Sequence, residues 1–219
     1  MNRYSKVLLI TIIIFTLSSC SRDLFISESY QVVIKNILEP LSNKGSIFTR
    51  DIIEEIPYAS ALISFGKQQS LIILESKTDK RLTWVSADRI VFFTKNGRVI
   101  STVGLPNNLY KIDFPSLGFK DIIEEKKLNY ITYYSFRDPK LDNIKVEVTA
   151  EVIGREEVDL LGFKKSLVLI EEAIYSEKIN WNSKNKFWID PVSMSVWKSE
   201  QSLSPRLPLV QMTITKKPR

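Results

Sequence analysis

Ser64 and Lys67 stand three residues apart, the spacing of a serine–lysine nucleophile pair. Such a pair needs a rigid frame, and Ser64 sits at the end of a β run just before Gly66, so the spacing reads as coincidence. The chain has no histidine, which removes the usual general base, the usual zinc ligand and the usual pH switch. No Gly-x-Ser-x-Gly elbow and no glycine-rich phosphate loop is present. Carboxylates come as doublets, Glu54-Glu55, Glu124-Glu125, Glu156-Glu157 and Glu171-Glu172. Neighbours on a strand point to opposite faces, so a doublet there is not a catalytic dyad; two distant carboxylates meeting across a cleft would be needed for glycoside hydrolysis. Four tryptophans, Trp84, Trp181, Trp188 and Trp197, are numerous for the length. An indole face stacks well on a sugar ring, and aromatics also carry much of any β core. Trp84, Trp188 and Trp197 are therefore candidate saccharide contacts, with Arg98 and Lys198 as nearby donors for an acidic sugar. This inventory predicts no enzyme, no metal and no cofactor.

The chain's single cysteine carries the clearest chemistry. Arg3 and Lys6 make a short basic start, and Val7 to Leu17 is an apolar run broken only by threonines. That run is well short of the about 20 residues a membrane-spanning helix needs. It has the length and flanks of a secretory signal core. Leu17-Ser18-Ser19-Cys20 then follows the pattern of the bacterial lipobox: a branched apolar residue, two small residues that fit a peptidase site, and a cysteine whose thiol takes a diacylglyceryl group. Cleavage between Ser19 and Cys20 would make Cys20 the new N-terminus. Two or three acyl chains, palmitate among them, hold firmly where one does not, at about 0.8 kcal/mol per buried methylene. The expected organisation is a lipoprotein signal peptide over 1–19, a lipidated tether over 20–25 and one domain over 26–219.

About 200 residues would remain after cleavage, enough for one domain with a proper core. Hydrophobic residues are 44% and charged residues 26%, the balance of a globular chain and not a disordered one. With Cys20 acylated no thiol is left for a disulfide, so packing alone must hold the domain together in an oxidising compartment. The formal net charge of +6 is mild, part of it leaves with the signal, and no nucleic-acid-binding signature accompanies it.

Ser27 is a plausible helix cap, and Tyr30, Val33, Ile34, Ile37, Leu38 and Leu41 follow at helical spacing. This predicts an amphipathic helix over 27–39, ended by Pro40. Thr49 is positioned to cap a short second helix through Ile56. From Ala59 onward the pattern changes to short β runs punctuated by turns. Asn96-Gly97 between two such runs is a strong hairpin signal, because both residues tolerate positive φ. Residues 104–120 read as a loop, Asp121–Leu128 as a short helix, and Lys145–Ile153 and Glu156–Leu160 as separate strands. Ile179–Trp181 and Lys186–Ile189 also read as separate strands. Asp138-Pro139 and Asp190-Pro191 read as turns. A dozen or so short strands predict a mainly β fold: an antiparallel β-barrel or half-barrel with an N-terminal amphipathic helix. Closure would remove the edges that a lone sheet exposes.

Two blocks carry a resemblance. The first is Leu82-Thr83-Trp84-Val85-Ser86-Ala87-Asp88, continuing through Ile90, Asn96-Gly97-Arg98, Thr102 and Gly104-Leu105. The second is Phe187-Trp188-Ile189-Asp190-Pro191, then Val196-Trp197-Lys198-Ser199-Glu200-Gln201, Pro205 and Lys217-Pro218. With the lipobox, these resemble the group 4 capsule polysaccharide lipoprotein family of the GfcB/YjbF type, in order and over nearly the whole mature chain. Arg89 and Ser193-Met194-Ser195 stand where that pattern has glycine-containing turns. The resemblance implies a largely antiparallel β lipoprotein of the outer membrane, made alongside capsule or exopolysaccharide machinery. Ser21, where an aspartate would signal inner-membrane retention, implies export to the outer membrane. The expected partners are the membrane, through the Cys20 acyl chains, and either the polysaccharide or proteins of its export pathway. The competing expectations are a periplasmic carrier whose barrel holds an acyl chain and, third, a glycan-cleaving enzyme.

Overall fold

Alternation of apolar and polar residues dictates the architecture. In Ile144-Lys145-Val146-Glu147-Val148-Thr149-Ala150-Glu151 the first, third, fifth and seventh side chains are buried and the lysine and glutamates are exposed, the signature of a strand with one face on a core. The computed structural model describes residues 48–79 and 81–218, together with Lys35. Helix α1 is Arg50–Glu55, followed by β1 (Ser60–Phe65), β2 (Gln68–Thr78), β3 (Arg81–Ser86), β4 (Val91–Lys95), β5 (Arg98–Val103) and β6 (Leu109–Asp113). Helix α2 is Phe119–Glu125. Strands β7 (Lys127–Phe136), β8 (Leu141–Asp159), β9 (Lys164–Ser176), β10 (Trp181–Ile189), β11 (Val196–Gln201) and β12 (Val210–Lys216) complete it.

The twelve strands form one sheet in the order β5-β4-β3-β2-β1-β12-β11-β10-β9-β8-β7-β6, with antiparallel neighbours throughout. Inward residues from both halves, among them Ile63, Ile72, Trp84, Phe92, Leu109, Tyr134, Val146, Trp181 and Met212, make one core. The sheet therefore curls round on itself. Its two ends, β5 and β6, meet without a continuous ladder. Side chains bridge them instead: Leu109 N donates to Thr102 Oγ1 at 3.0 Å and Ser101 Oγ donates to Leu109 O at 3.2 Å. The result is a nearly closed barrel, which the expected barrel or half-barrel brackets. Apart from Lys35, the helix expected over 27–39 lies outside the described residues, as do Ser19 and Cys20.

Two helices cover apolar surface. Ile53 of α1, with Phe48 and Ile56, lies on the outward face of β1–β4 at Leu62, Leu71, Ile73, Val85 and Val91. Thr49 holds the N-cap position there without a side-chain cap bond. Phe119 and Ile122 of α2 pack over the inward row that runs through Ala150, Ile170 and Phe187, so α2 plugs the barrel.

Four local expectations are corrected. Residues 104–120 contain the strand β6, because Pro106, Asn107 and Pro115 punctuate both sides of a run only five residues long. The helix expected over 121–128 runs from Phe119 to Glu125, and Leu128 belongs to β7. The two runs 145–153 and 156–160 are a single 19-residue strand with a register shift at Val152/Gly154, so Gly154 marks a bulge and not a turn. Residues 179–181 do not form a strand of their own; Glu177–Ile179 is a 3-10 turn that leads into β10.

Candidate functional site

Strand alternation divides the Glu171-Glu172 doublet as geometry requires. Glu171 faces out to Lys184, at 2.6 Å. Glu172 faces in, 1% exposed, and receives the guanidinium of Arg98 from β5 across the barrel. The pairing is bidentate, with Arg98 Nη1 donating to Glu172 Oε2 at 2.7 Å and Nη2 donating to Oε1. Tyr130 Oη donates to Glu172 Oε1 at 2.8 Å and Asn185 Nδ2 donates to Oε2 at 3.4 Å. The rings of Phe119, Phe187 and Phe114 surround the guanidinium carbon at 4.2, 4.7 and 4.9 Å. Burial pulls the Arg98 guanidinium down, and the Glu172 carboxylate more than restores it, so its net shift is upward. Burial pushes the Tyr130 hydroxyl well above the usual phenol range. This is a locked, fully partnered group. Arg98, read from the sequence as a saccharide donor, is spent inside the barrel behind Phe119.

At one end the barrel opens into a cup of about 510 Å³. Leu82 and Trp84 of β3, Thr94 of β4, Ser199 of β11 and Met212 and Ile214 of β12 form its floor and walls, with Phe119 from the start of α2. Trp84, Thr94, Phe119, Ser199 and Met212 are buried, whereas the rim residues Asn96, Lys120, Ser193 and Lys217 are exposed. Trp84 donates its Nε1 to Thr94 Oγ1 at 3.0 Å, and Ser199 Oγ accepts from Gln201 Nε2 at 2.8 Å.

Turn chemistry builds the rim. Asn96 and Gly97 take φ of 51° and 78°, as the Asn-Gly signal predicts. A Cβ on Gly97 would fall 2.3 Å from Val196 Cγ2, so only glycine lets this hairpin lie against the β10–β11 turn. Gln201 ties the same hairpin down, its Oε1 accepting from Val99 N at 2.9 Å and its Nε2 donating to Gly97 O at 3.2 Å. In the β10–β11 turn, Asp190 Oδ1 accepts from Val192 N and Ser193 N at 3.0 and 3.1 Å, and Oδ2 pairs with Lys165 Nζ at 2.9 Å. The Lys165 hydrogen bond, aided by the two backbone N–H groups, outweighs burial and holds the Asp190 carboxyl below the usual carboxylate range.

Trp84 and Trp197, 113 positions apart in sequence, share the cup. Trp197 is partly exposed, with Lys217 Nζ 4.4 Å and Lys165 Nζ 5.5 Å from its ring centre. Its Nε1 is the one buried side-chain N or O atom among the described residues without a hydrogen-bond partner. Trp188 and Lys198 lie together outside the cup lining. Trp188 is 6% exposed and packs with Val158, Leu160, Leu167 and Leu169. Its Nε1 donates to Glu156 Oε2 at 2.7 Å, and Lys198 Nζ sits 4.5 Å over its ring. Sequence reasoning missed Glu172 and the cup's aliphatic residues Leu82, Met212 and Ile214. A glutamate at the end of the apolar run Leu167–Ile170, on the same strand face as Val168 and Ile170, was the available signal for the first.

No cluster of three His, Cys, Asp or Glu side chains able to hold a metal occurs among the described residues.

Comparison with known proteins gives a consistent picture. The chain is similar to the uncharacterized lipoprotein GfcB of Escherichia coli K12, 23% identical over 217 residues and covering 96% of this chain and 98% of that protein. It is also similar to the uncharacterized lipoprotein YjbF of the same organism, 24% identical over 190 residues, 78% of this chain and 82% of that one. The crystal structure of the hypothetical lipoprotein YmcC from Escherichia coli K12 shares the fold, with a TM-score of 0.67 at 21% identity over 83% of this chain and 95% of that one. The model of the family described as group 4 capsule polysaccharide lipoprotein GfcB, YjbF matches residues 26–215, which take in every described strand through Thr215, and the chain belongs to that family.

Proposed function

We propose that this lipoprotein assists capsule or exopolysaccharide biogenesis or export as a binding or assembly component, held by the Cys20 acyl chains at the outer membrane with its barrel facing the periplasm. The observation that carries the reading is the extent of the family match, residues 26–215, which takes in the barrel as a whole and not a fragment of it. Ser21 beside the lipobox supports the outer-membrane destination. The role is non-catalytic: the buried carboxylate Glu172 is saturated with partners, and Lys67 is exposed in the β1–β2 turn.

Deleting the gene tests the role. The expected result is reduced surface polysaccharide, restored by the wild-type gene and not by Cys20→Ser; normal surface polysaccharide in the deletion strain would contradict it. Purified protein incubated with purified capsule is expected to release no new reducing ends, and their appearance would replace the binding role with glycan cleavage.

A further inference from the structure

The cup's lining has two chemical zones. The inner zone is hydrocarbon: Leu82, Trp84, Phe119, Met212 and Ile214. Its polar atoms are already engaged, Trp84 Nε1 on Thr94 and Ser199 Oγ with Gln201. A sugar ring pressed onto such a floor would bury hydroxyls with few partners, which is costly. An aliphatic chain would bury only apolar surface, which is favourable. The volume falls within the about 300–1,000 Å³ usual for small-molecule sites.

The outer zone is cationic on balance, with Lys77, Lys120 and Lys217 against one carboxylate, Asp79. Lys120 is exposed, its ammonium 3.7 Å from Glu124 on the same helix, and Lys217 is exposed over the Trp197 ring. Both line the cup, as does Trp197, whose ring also packs on the outward cluster of Val158, Leu160, Leu167, Leu169 and Trp188. The two exposed ammonium groups are suited to an anionic oxygen, which their charge attracts.

The described chain starts at the same end of the barrel. Arg50 Nη1 donates to Thr215 O at 3.2 Å and Lys216 Nζ donates to Ile56 O at 2.6 Å. These contacts bring the start of the described domain to the strand end that continues directly into the rim residues Lys217 and Pro218.

We propose that the cup binds the acyl tail of an anionic amphiphile, tail on the Leu82–Trp84–Met212–Ile214 floor and head-group oxygens at Lys120 and Lys217. This goes beyond the capsule role, and each can fail without the other. A carboxylate from a fatty acid and a phosphate from a phospholipid offer the same recognition chemistry.

The test uses the full mature chain with Cys20→Ser, so that its own anchor does not compete. Tryptophan fluorescence is titrated with palmitic acid brominated in mid-chain and, separately, with brominated palmitoyl lysophosphatidate and lysophosphatidylcholine. The expected result is saturable quenching by at least one anionic ligand, at least ten-fold weaker with the zwitterionic one. Which anionic ligand saturates at lower concentration separates carboxylate from phosphate. Shortening the tail by two methylenes lowers affinity about ten-fold. Lys120→Glu with Lys217→Glu, both at exposed positions, weakens anionic binding at least ten-fold without lowering the melting temperature. Three results overturn the proposal: equal quenching by anionic and zwitterionic ligands, quenching unchanged by the rim variants, or no fatty-ligand quenching together with binding of a uronic-acid oligosaccharide. The last would make the cup a sugar site.

Discussion

At the scale of single residues, the Arg98–Glu172 pair pins the edge strand β5 to β9 through the middle of the barrel. Two buried charges hold each other there only because Tyr130, Asn185 and three phenylalanine rings supply the remaining interactions. Removing one partner strands the other's charge, which costs about 3–5 kcal/mol, while removing both relieves most of that loss. Arg98→Met and Glu172→Gln are each expected to lower the urea midpoint strongly, and the double variant to be less destabilised than the sum of the two. Additive losses would show that the pair is not coupled. Glu172 was hard to recognise in the sequence because a glutamate doublet on a strand normally means one solvated face. Its inward direction follows from strand parity, but its partner sits 74 residues away, a separation that no local pattern encodes.

At the scale of elements, the β10–β11 turn shows how a residue other than glycine is held in a left-handed turn. Met194 takes φ of 54° and Arg89 takes 62°, both in the left-handed region that glycine enters freely. In the first case the turn is held by Met194 N to Asp190 O at 2.8 Å and Asp190 N to Ser195 O at 2.9 Å. Relieving left-handed strain is worth about 1–2 kcal/mol, less the about 0.5–1 kcal/mol that glycine loses in backbone entropy. Met194→Gly is therefore expected to leave the melting temperature unchanged or raise it by a few degrees; a fall would mean that the Met194 side chain itself supports the turn.

Asp190 provides the pH signature of the same turn. Its folded carboxyl is held below its unfolded value of about 3.9, so its stabilisation is present in full above that value and is lost as pH falls through the depressed one. Asp190→Asn is expected to be less stable than wild type at pH 7, with the gap narrowing progressively below about pH 4 in urea titrations. A gap independent of pH would mean that charge plays no part. Two of the element-level misreadings share one cause: Gly154 and the prolines that flank the run 109–113 are residue types of turns, while long-range pairing with β9 and β7 keeps both segments in the sheet.

At the scale of the whole molecule, the antiparallel β class was legible because each strand writes its own alternation. Closure was not, because it depends on β5 meeting β6 through Ser101, Thr102 and Leu109 side-chain bridges. The cup was not legible either. Its walls come from residues 77–97, 118–120, 193–199 and 212–218, brought together only when the sheet curls. Trp84 and Trp197 were singled out for sugar and both line one cavity, whose inner floor also carries Leu82, Met212 and Ile214. Everything proposed about where this barrel works rests on one covalent event at Cys20. Intact-mass spectrometry of the protein purified from native membranes tests it. The mass expected is that of residues 20–219 plus a diacylglyceryl group and a further amide-linked acyl chain, and Cys20→Ser should abolish the modification. A chain recovered with a free Cys20 thiol, or one found in the soluble fraction, would contradict it.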